Sequence, residues 1–343
     1  MYAPIIVQTL NRYEHLKECL ESLKKNKLAR ETEVFISVDY PPYPKYEEGY
    51  GQVKNYLSSG VEGFKKVNVI YQQENLGEFR NIDYLISCIR GSYDRFIFTE
   101  DDNVFSENFL EYMNRCFEAY KNDDSIYAIC GYMWPIDNMT GRHEVVKINS
   151  IFSAWGYGAW LEKLDRLNRH INLDELESIM NDKKMMMSLR KTNKFIYVEL
   201  IKGFLGRTSC LIKDENVEKI DLAYSVWMYA NNLSMLYPVC SKVRNIGNDG
   251  SGQNCVDLDE EFADAKKANN RNYNYSKQTL DNDSYFDEPL FLEKDSATEL
   301  ETHLMRFLTV SYNELFKSDL AYVLYRVMGR KKVISIMSKI TQV

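Results

Sequence analysis

Apolar positions in the first 131 residues fall into short runs separated by stretches with helical spacing, the alternation expected of stacked βαβ units. Pro4 to Leu10 reads as a buried strand. A helix follows that Asn11 can cap and that carries Leu16, Cys19, Leu20 and Leu23 on one face. Glu33 to Asp39 is a second strand, ending at a Tyr-Pro-Pro-Tyr-Pro segment that cannot extend a ladder because proline lacks the N–H. Val67 to Gln72 is a third, after which Asn75-Leu-Gly-Glu-Phe-Arg80 opens a helix ending near Gly91. The fourth strand begins at Arg95, and a helix from about Ser106 to Lys121 leads to the apolar strand Ile126 to Gly131. This order predicts an α/β fold with a mostly parallel sheet covered by helices and a site at the strand ends.

The rest of the chain is less regular. Phe152-Ser-Ala-Trp-Gly-Tyr-Gly-Ala-Trp160 mixes aromatics with glycines and reads as a mobile aromatic lid. Asn172 to Lys191 has helical spacing, with Met185 to Met187 as packing filler. Phe195 to Leu200 reads as a strand, Asp221 to Asn231 as a helix, and Leu233 to Val243 contains a strand. Asn245 to Gly252 is a glycine-rich turn that suits either a phosphate or an ordinary surface loop. Asp257 to about Asp287 is rich in Asn, Asp and Lys and reads as a solvated linker or partly ordered excursion. Helical periodicity returns from Leu304 to Val343, where Arg326, Arg330, Lys331, Lys332 and Lys339 sit among apolar residues. Such a basic amphipathic helix can lie on anionic lipid or dock on the domain. Three segments result: 1–131, 132–256, and a polar linker with a helical C-terminal extension, 257–343.

Composition narrows the class. The chain has 343 residues and a net charge of −7, which argues against a nucleic-acid partner because that would require a basic face. Seven cysteines without a Cys-x-x-Cys pair suggest neither a disulfide framework nor a zinc ribbon. With no leader or long apolar run, the expected location is the cytoplasm.

The strongest chemical signal is Arg95-Phe-Ile-Phe-Thr-Glu-Asp-Asp-Asn103, an apolar strand running into three carboxylates. Ligands collect at the carboxyl ends of strands in open α/β sheets, and clustered oxygens there suit a divalent cation holding a phosphate. Capping of the next helix requires one acid rather than three. No Gly-x-Ser-x-Gly elbow or Walker loop occurs, which removes hydrolase and ATPase readings.

In order, Pro4 to Arg12, Val38-Asp39, Glu74 to Gly77, Phe98 to Asp102, Phe152 to Gly156 and Val243 to Gly247 resemble the motifs of GT-A-fold glycosyltransferases. The resemblance is to bacterial family 2 enzymes and to the N-acetylglucosaminyltransferase I type, and it spans about residues 4 to 255. It implies a nucleotide-sugar donor, usually a UDP-sugar, with Mn²⁺ or Mg²⁺, and inverting transfer to a glycan or lipid-linked acceptor in bacterial surface polysaccharide synthesis. By that resemblance Asp102 is the metal ligand, Glu100 and Asp101 contact ribose or donor sugar, and Asp39 binds the uracil or ribose end. Thr9, Asn11 and Arg12 lie after the first strand where a helix N-terminus can face phosphate. Asn75, Gly77 and Arg80 form a second donor-side group, and Trp155 offers a sugar-stacking face.

The expected base, an acid just before a tryptophan, is missing from Ile220-Asp-Leu-Ala-Tyr-Ser-Val-Trp227. Tyr224 or Ser225 stands at its position, leaving Asp221 as the candidate one helical turn earlier and Glu199 as a poorer one. That departure keeps a second reading open, a catalytically silent homologue that binds nucleotide or glycan. A lipid-linked acceptor would bring the C-terminal helix to the inner face of the membrane.

Overall fold

The short apolar runs of the first half become neighbouring strands: β1 (Ile5–Thr9), β2 (Glu33–Val38), β3 (Lys66–Tyr71) and β4 (Arg95–Glu100). In the computed structural model these four are parallel, in the order β3-β2-β1-β4. Helices α1 (Tyr13–Lys24), α2 (Glu47–Ser58) and α3 (Gly77–Ile89) connect them. The structure describes residues 1–135, 143–207, 211–247, 249, 251, 280, 282 and 289–340. Ile5, Ile6 and Val7 of β1 are fully buried, as central-strand residues covered on both faces must be. The predicted face of α1, Leu16, Cys19, Leu20 and Leu23, packs into the same core.

After β4 come β5 (Asn103–Phe105), α4 (Phe109–Tyr120), β6 (Ile126–Cys130), β7 (Val145–Ile148) and β8 (Tyr157–Trp160). Helices α5 (Leu161–Asn168), α6 (Leu173–Asn181), α7 (Lys183–Thr192) and α8 (Lys194–Phe204) follow. Then come β9 (Ile212–Lys213), β10 (Asn216–Val217), α9 (Asp221–Ala230), β11 (Ser234–Pro238) and β12 (Val243–Asn245). The main sheet has eight strands in the order β3-β2-β1-β4-β8-β6-β11-β7, with β8 and β7 antiparallel to their neighbours. β12 and β5 form a separate antiparallel ribbon.

Three expectations are corrected. Phe152 to Trp160 is not a mobile lid: its second half is β8, a buried strand wedged between β4 and β6. A Cβ at Gly158 would stand 2.6 Å from the Phe96 carbonyl oxygen, so glycine there serves close packing. Phe195 to Leu200 is helical rather than extended. The Asn193 side chain accepts from the Ile196 N–H at the start of α8, and burial of Ile196, Tyr197, Val198, Leu200 and Ile201 outweighs their strand preference. Asn11 does not cap α1, whose N-cap is Arg12 without a side-chain cap bond. Asp182, accepting from the Met185 N–H, divides the region from Asn172 to Lys191 into two helices. Of the methionines there, Met186 is core and Met187 is exposed.

The C-terminal region forms α10 (Lys294–Phe307), α11 (Tyr312–Met328) and α12 (Arg330–Ile340). α11 packs on α8 through its buried face, and Tyr322 Oη donates to the Met180 carbonyl at 3.1 Å. Arg326 and Arg330 turn toward the body, donating to the carbonyls of Asn181 and Phe204. Among the described residues no helix is long and apolar enough to cross a membrane. The expected linker at 257–287 and Cys210 and Cys255 fall outside the described residues, apart from positions 280 and 282 of the linker.

Candidate functional site

β1 leads on to β2 and β3 on one side, while β4 lies on its other side, so the strand order reverses between β1 and β4. A crevice opens outside the carboxyl ends of the strands at such a point. The sequence puts its densest chemistry there: Thr9, Asn11 and Arg12 leave β1, and Glu100, Asp101 and Asp102 leave β4. Register explains the meeting, because Gln8 pairs with Glu100 across the two strands.

The acids are neutralised from β1. Thr9 Oγ1 donates to Asp101 at 2.6 Å, and Arg12 pairs with Asp101 and, at 2.9 Å, with Asp102. Burial alone would lower the Arg12 pKa, but the charges of Asp101, Asp102 and Glu100 outweigh it and hold the guanidinium protonated. One arginine does not balance the cluster. Desolvation, then the charges of Asp102 and Glu78, push the Glu100 carboxyl well above its ordinary range, and desolvation raises Asp101 despite Arg12. The pocket carries an excess of negative potential.

Asp39, buried after β2, accepts from the N–H groups of Leu76 at 2.8 Å and Gly77 at 2.9 Å and from Asn75 Nδ2 at 3.1 Å. It therefore satisfies N–H groups at the start of α3 from a different strand, a tie that fixes the Asn75-Leu-Gly77 turn against the cavity. Gly77 has φ +71°, a left-handed conformation that glycine adopts without strain.

The opposite wall comes from the ribbon. β12 pairs with β5 so that Asn245 faces Asn103, and Asn245 Nδ2 donates to Asp102 Oδ1 at 2.9 Å. The Gly247 backbone then lies against Asp102, where a Cβ would stand 2.1 Å from Oδ2. The result is a cavity of about 380 Å³ lined by Thr9, Asn11, Arg12, Asp39, Asn75, Gly77, Glu100, Asp101, Asp102 and Trp155. The Trp155 ring makes an edge contact with Tyr132 at 4.7 Å. Gln8, Tyr46, Glu78 and Asn81 also line this space and were not expected from sequence. Glu78, in the first turn after the Gly77 loop, was discoverable by position, whereas nothing local marks Tyr46.

Two predicted residues stand elsewhere. Arg80 is exposed outside the cavity lining, 3.3 Å from Glu74. Asp221 opens α9 beside the cavity rather than on its lining, accepting the Ala154 N–H next to Trp155. Asp221 keeps solvent-exposed surface at the start of α9. Desolvation first, and the charge of Glu78 second, lift its carboxyl to about 7. Tyr224 and Ser225 are buried, bonded to Asn168 and to the Asp221 carbonyl, and Trp227 is core. Glu199 pairs with Lys202 at 2.9 Å on α8.

Among the described residues no three His, Cys, Asp or Glu side chains form a closed metal cage. The donor set nevertheless fits a cation held largely by a diphosphate, because Mg²⁺-type sites use one or two carboxylates plus substrate phosphates. The repulsion that Asp102 and Glu78 add at Glu100 is of the kind a bound cation relieves.

The sequence profile described as glycosyl transferase family 2 matches residues 5–192. No curated protein matches the chain. Among solved structures, S. aureus TarS is similar at 14% identity over 60% of this chain and 43% of that chain, with a TM-score of 0.34. TarS 1-349 in complex with UDP-GlcNAc is similar at 13% identity over 100% of this chain and 92% of that chain, TM-score 0.40. Mannosyltransferase PcManGT from Pyrobaculum calidifontis, in complex with GDP-Man and Mn²⁺, is similar at 12% identity over 94% and 88%, TM-score 0.39. The match with TarS spans less than half of that chain's length.

Proposed function

The chain belongs to glycosyl transferase family 2 and has the GT-A architecture, and on that premise we propose that it moves a sugar from a UDP-sugar, with inversion, to a glycan or lipid-linked acceptor. The setting that best fits this reading is bacterial surface polysaccharide synthesis, on the cytoplasmic side of the membrane. One observation carries the proposal. Residues from the ends of β1, β2, β4 and β12, together with the start of α3, converge on one cavity at the reversal of strand order.

Within that cavity Asp102 would hold a Mn²⁺ or Mg²⁺ ion, with Glu100 and Asp101 turned to ribose and donor sugar. A divalent cation supplies Lewis-acid stabilisation of charge on the departing diphosphate. Asn245 and the close Gly247 backbone fix the Asp102 carboxylate. Asp39, Asn75 and Gly77 form the wall against which the uridine rests. Asp221 takes the proton from the acceptor hydroxyl as that oxygen attacks the anomeric carbon opposite the leaving UDP. A base with a pKa near 7 is matched to this task.

Incubating the protein with a panel of UDP-sugars, Mn²⁺, and glycan or lipid-linked acceptors tests the reading through UDP release and the anomeric configuration of the product. Acceptor-dependent release with inversion, lost in Asp102→Asn, is expected. UDP binding without any turnover would instead favour the silent homologue.

A further inference from the structure

The helix α11 carries an apolar stripe that nothing in the described structure covers. Tyr312, Phe316, Leu320, Val323 and Val327 each leave half or more of their surface in solvent, Tyr312 84% and Val327 78%. At 3.6 residues per turn these five positions align along one face, directly opposite the Ser318, Ala321, Tyr322 and Tyr325 face that docks on the body. A continuous exposed stripe of large apolar side chains marks an interaction surface.

Charge selects the occupant. Residues 312–340 contain six basic side chains and two acidic ones in a chain of net charge −7. Both acids are engaged with the protein body, Asp319 with Arg190 and Tyr197, and Glu314 with Lys202. On the helix Lys317 and Arg326 flank the stripe on either side, and Lys331 and Lys332 are exposed on the next helix. Apolar side chains edged by Lys317 on one side and by Arg326 beyond the Arg190-paired Asp319 on the other, with Lys331 and Lys332 nearby, suit an anionic bilayer, where acyl chains take the stripe and headgroups meet the lysines. A second copy brought face to face would oppose like charges across its rim.

We propose that the solvent face of α11 is a membrane-docking surface for anionic phospholipid, deepening the lipid-linked acceptor reading by naming the surface that would bring the enzyme to it. The sequence places this basic helix toward the chain end, whereas the structure moves the contact to α11, because Arg326 and Arg330 also serve to tie the extension down.

The test is co-sedimentation of the full chain with phosphatidylcholine vesicles, plain or containing roughly one-third phosphatidylglycerol. Binding to the anionic vesicles alone is expected, falling with added salt. It should weaken about tenfold or more in Phe316→Asp/Leu320→Asp and in Lys331→Glu/Lys332→Glu. All four side chains are exposed, so far-UV dichroism and UDP binding should match wild type. Failure of wild type to bind anionic vesicles, or undiminished binding by the aspartate variant, overturns the inference. So does a wild-type dimer in sedimentation equilibrium that the aspartate variant dissociates, because the stripe would then belong to a second copy. Vesicle binding needs neither donor nor acceptor, so its failure leaves sugar transfer untouched.

Discussion

Gly247→Ala isolates the role assigned to Asp102 without altering any charge. The added Cβ would lie 2.1 Å from Oδ2 and 2.8 Å from Cγ of Asp102, so carboxylate and loop must part by about 1 Å. Asp102 cannot yield freely, since Asn245 Nδ2 and Arg12 each hold it at 2.9 Å. A shift of that size in a catalytic constellation costs about 10²-fold, or roughly 2.7 kcal/mol of transition-state stabilisation. Loss of the Asn245 bond to a charged group costs a comparable ~1.5–3 kcal/mol. Isothermal titration of UDP into the Mn²⁺-loaded variant should therefore show affinity reduced about tenfold or more, with kcat/KM lower by about 10²-fold. Asn245→Ala, which removes the hydrogen bond without adding bulk, should follow in the same direction. Wild-type UDP affinity and Mn²⁺ dependence in Gly247→Ala would refute the assignment, because the group being displaced would not be the one that holds the ion.

The remaining expectations concern other parts of the site. Asp221→Asn should lower kcat by about 10²–10⁴-fold while leaving UDP affinity within about twofold. In wild type kcat/KM should rise with pH and level off above about 7, as the raised carboxyl loses its proton, and the variant should lack that limb; an unchanged profile would remove Asp221 as the base. Asp39→Ala leaves the Leu76 and Gly77 N–H groups without their carboxylate, so urea denaturation should show a loss of about 2 kcal/mol together with weakened UDP binding. Arg80→Ala should change UDP affinity by less than about twofold, because an exposed pair with Glu74 contributes little; a tenfold loss would show that the side chain reaches the donor.

Much of this arrangement is legible in the chain because its signals are local. The strands β1 to β4 are apolar runs bounded by turn residues, and the acids of 100–102 stand at a strand end whatever the partner strands are. What escapes the sequence is nonlocal. Arg12 meets Asp101 across 89 positions, so its commitment to the acids rather than to solvent or phosphate follows from strand pairing. β8 is hidden because its glycines and aromatics look like a loop until flanking strands bury them. α8 is hidden because burial, not intrinsic preference, sets its conformation. Asp221 is visible as an acid but not as a raised one, since the groups that desolvate it and the charge of Glu78 come from other elements.

Thermal unfolding with a panel of nucleoside diphosphates, with and without Mn²⁺, addresses the donor site most directly, since ligands that bind the native state raise the melting temperature. A Mn²⁺-dependent rise with UDP in wild type, absent in Asp102→Asn, is the expected result. No shift with any nucleoside diphosphate, from a protein that unfolds cooperatively, would contradict a nucleotide-sugar site at the β1–β4 crevice.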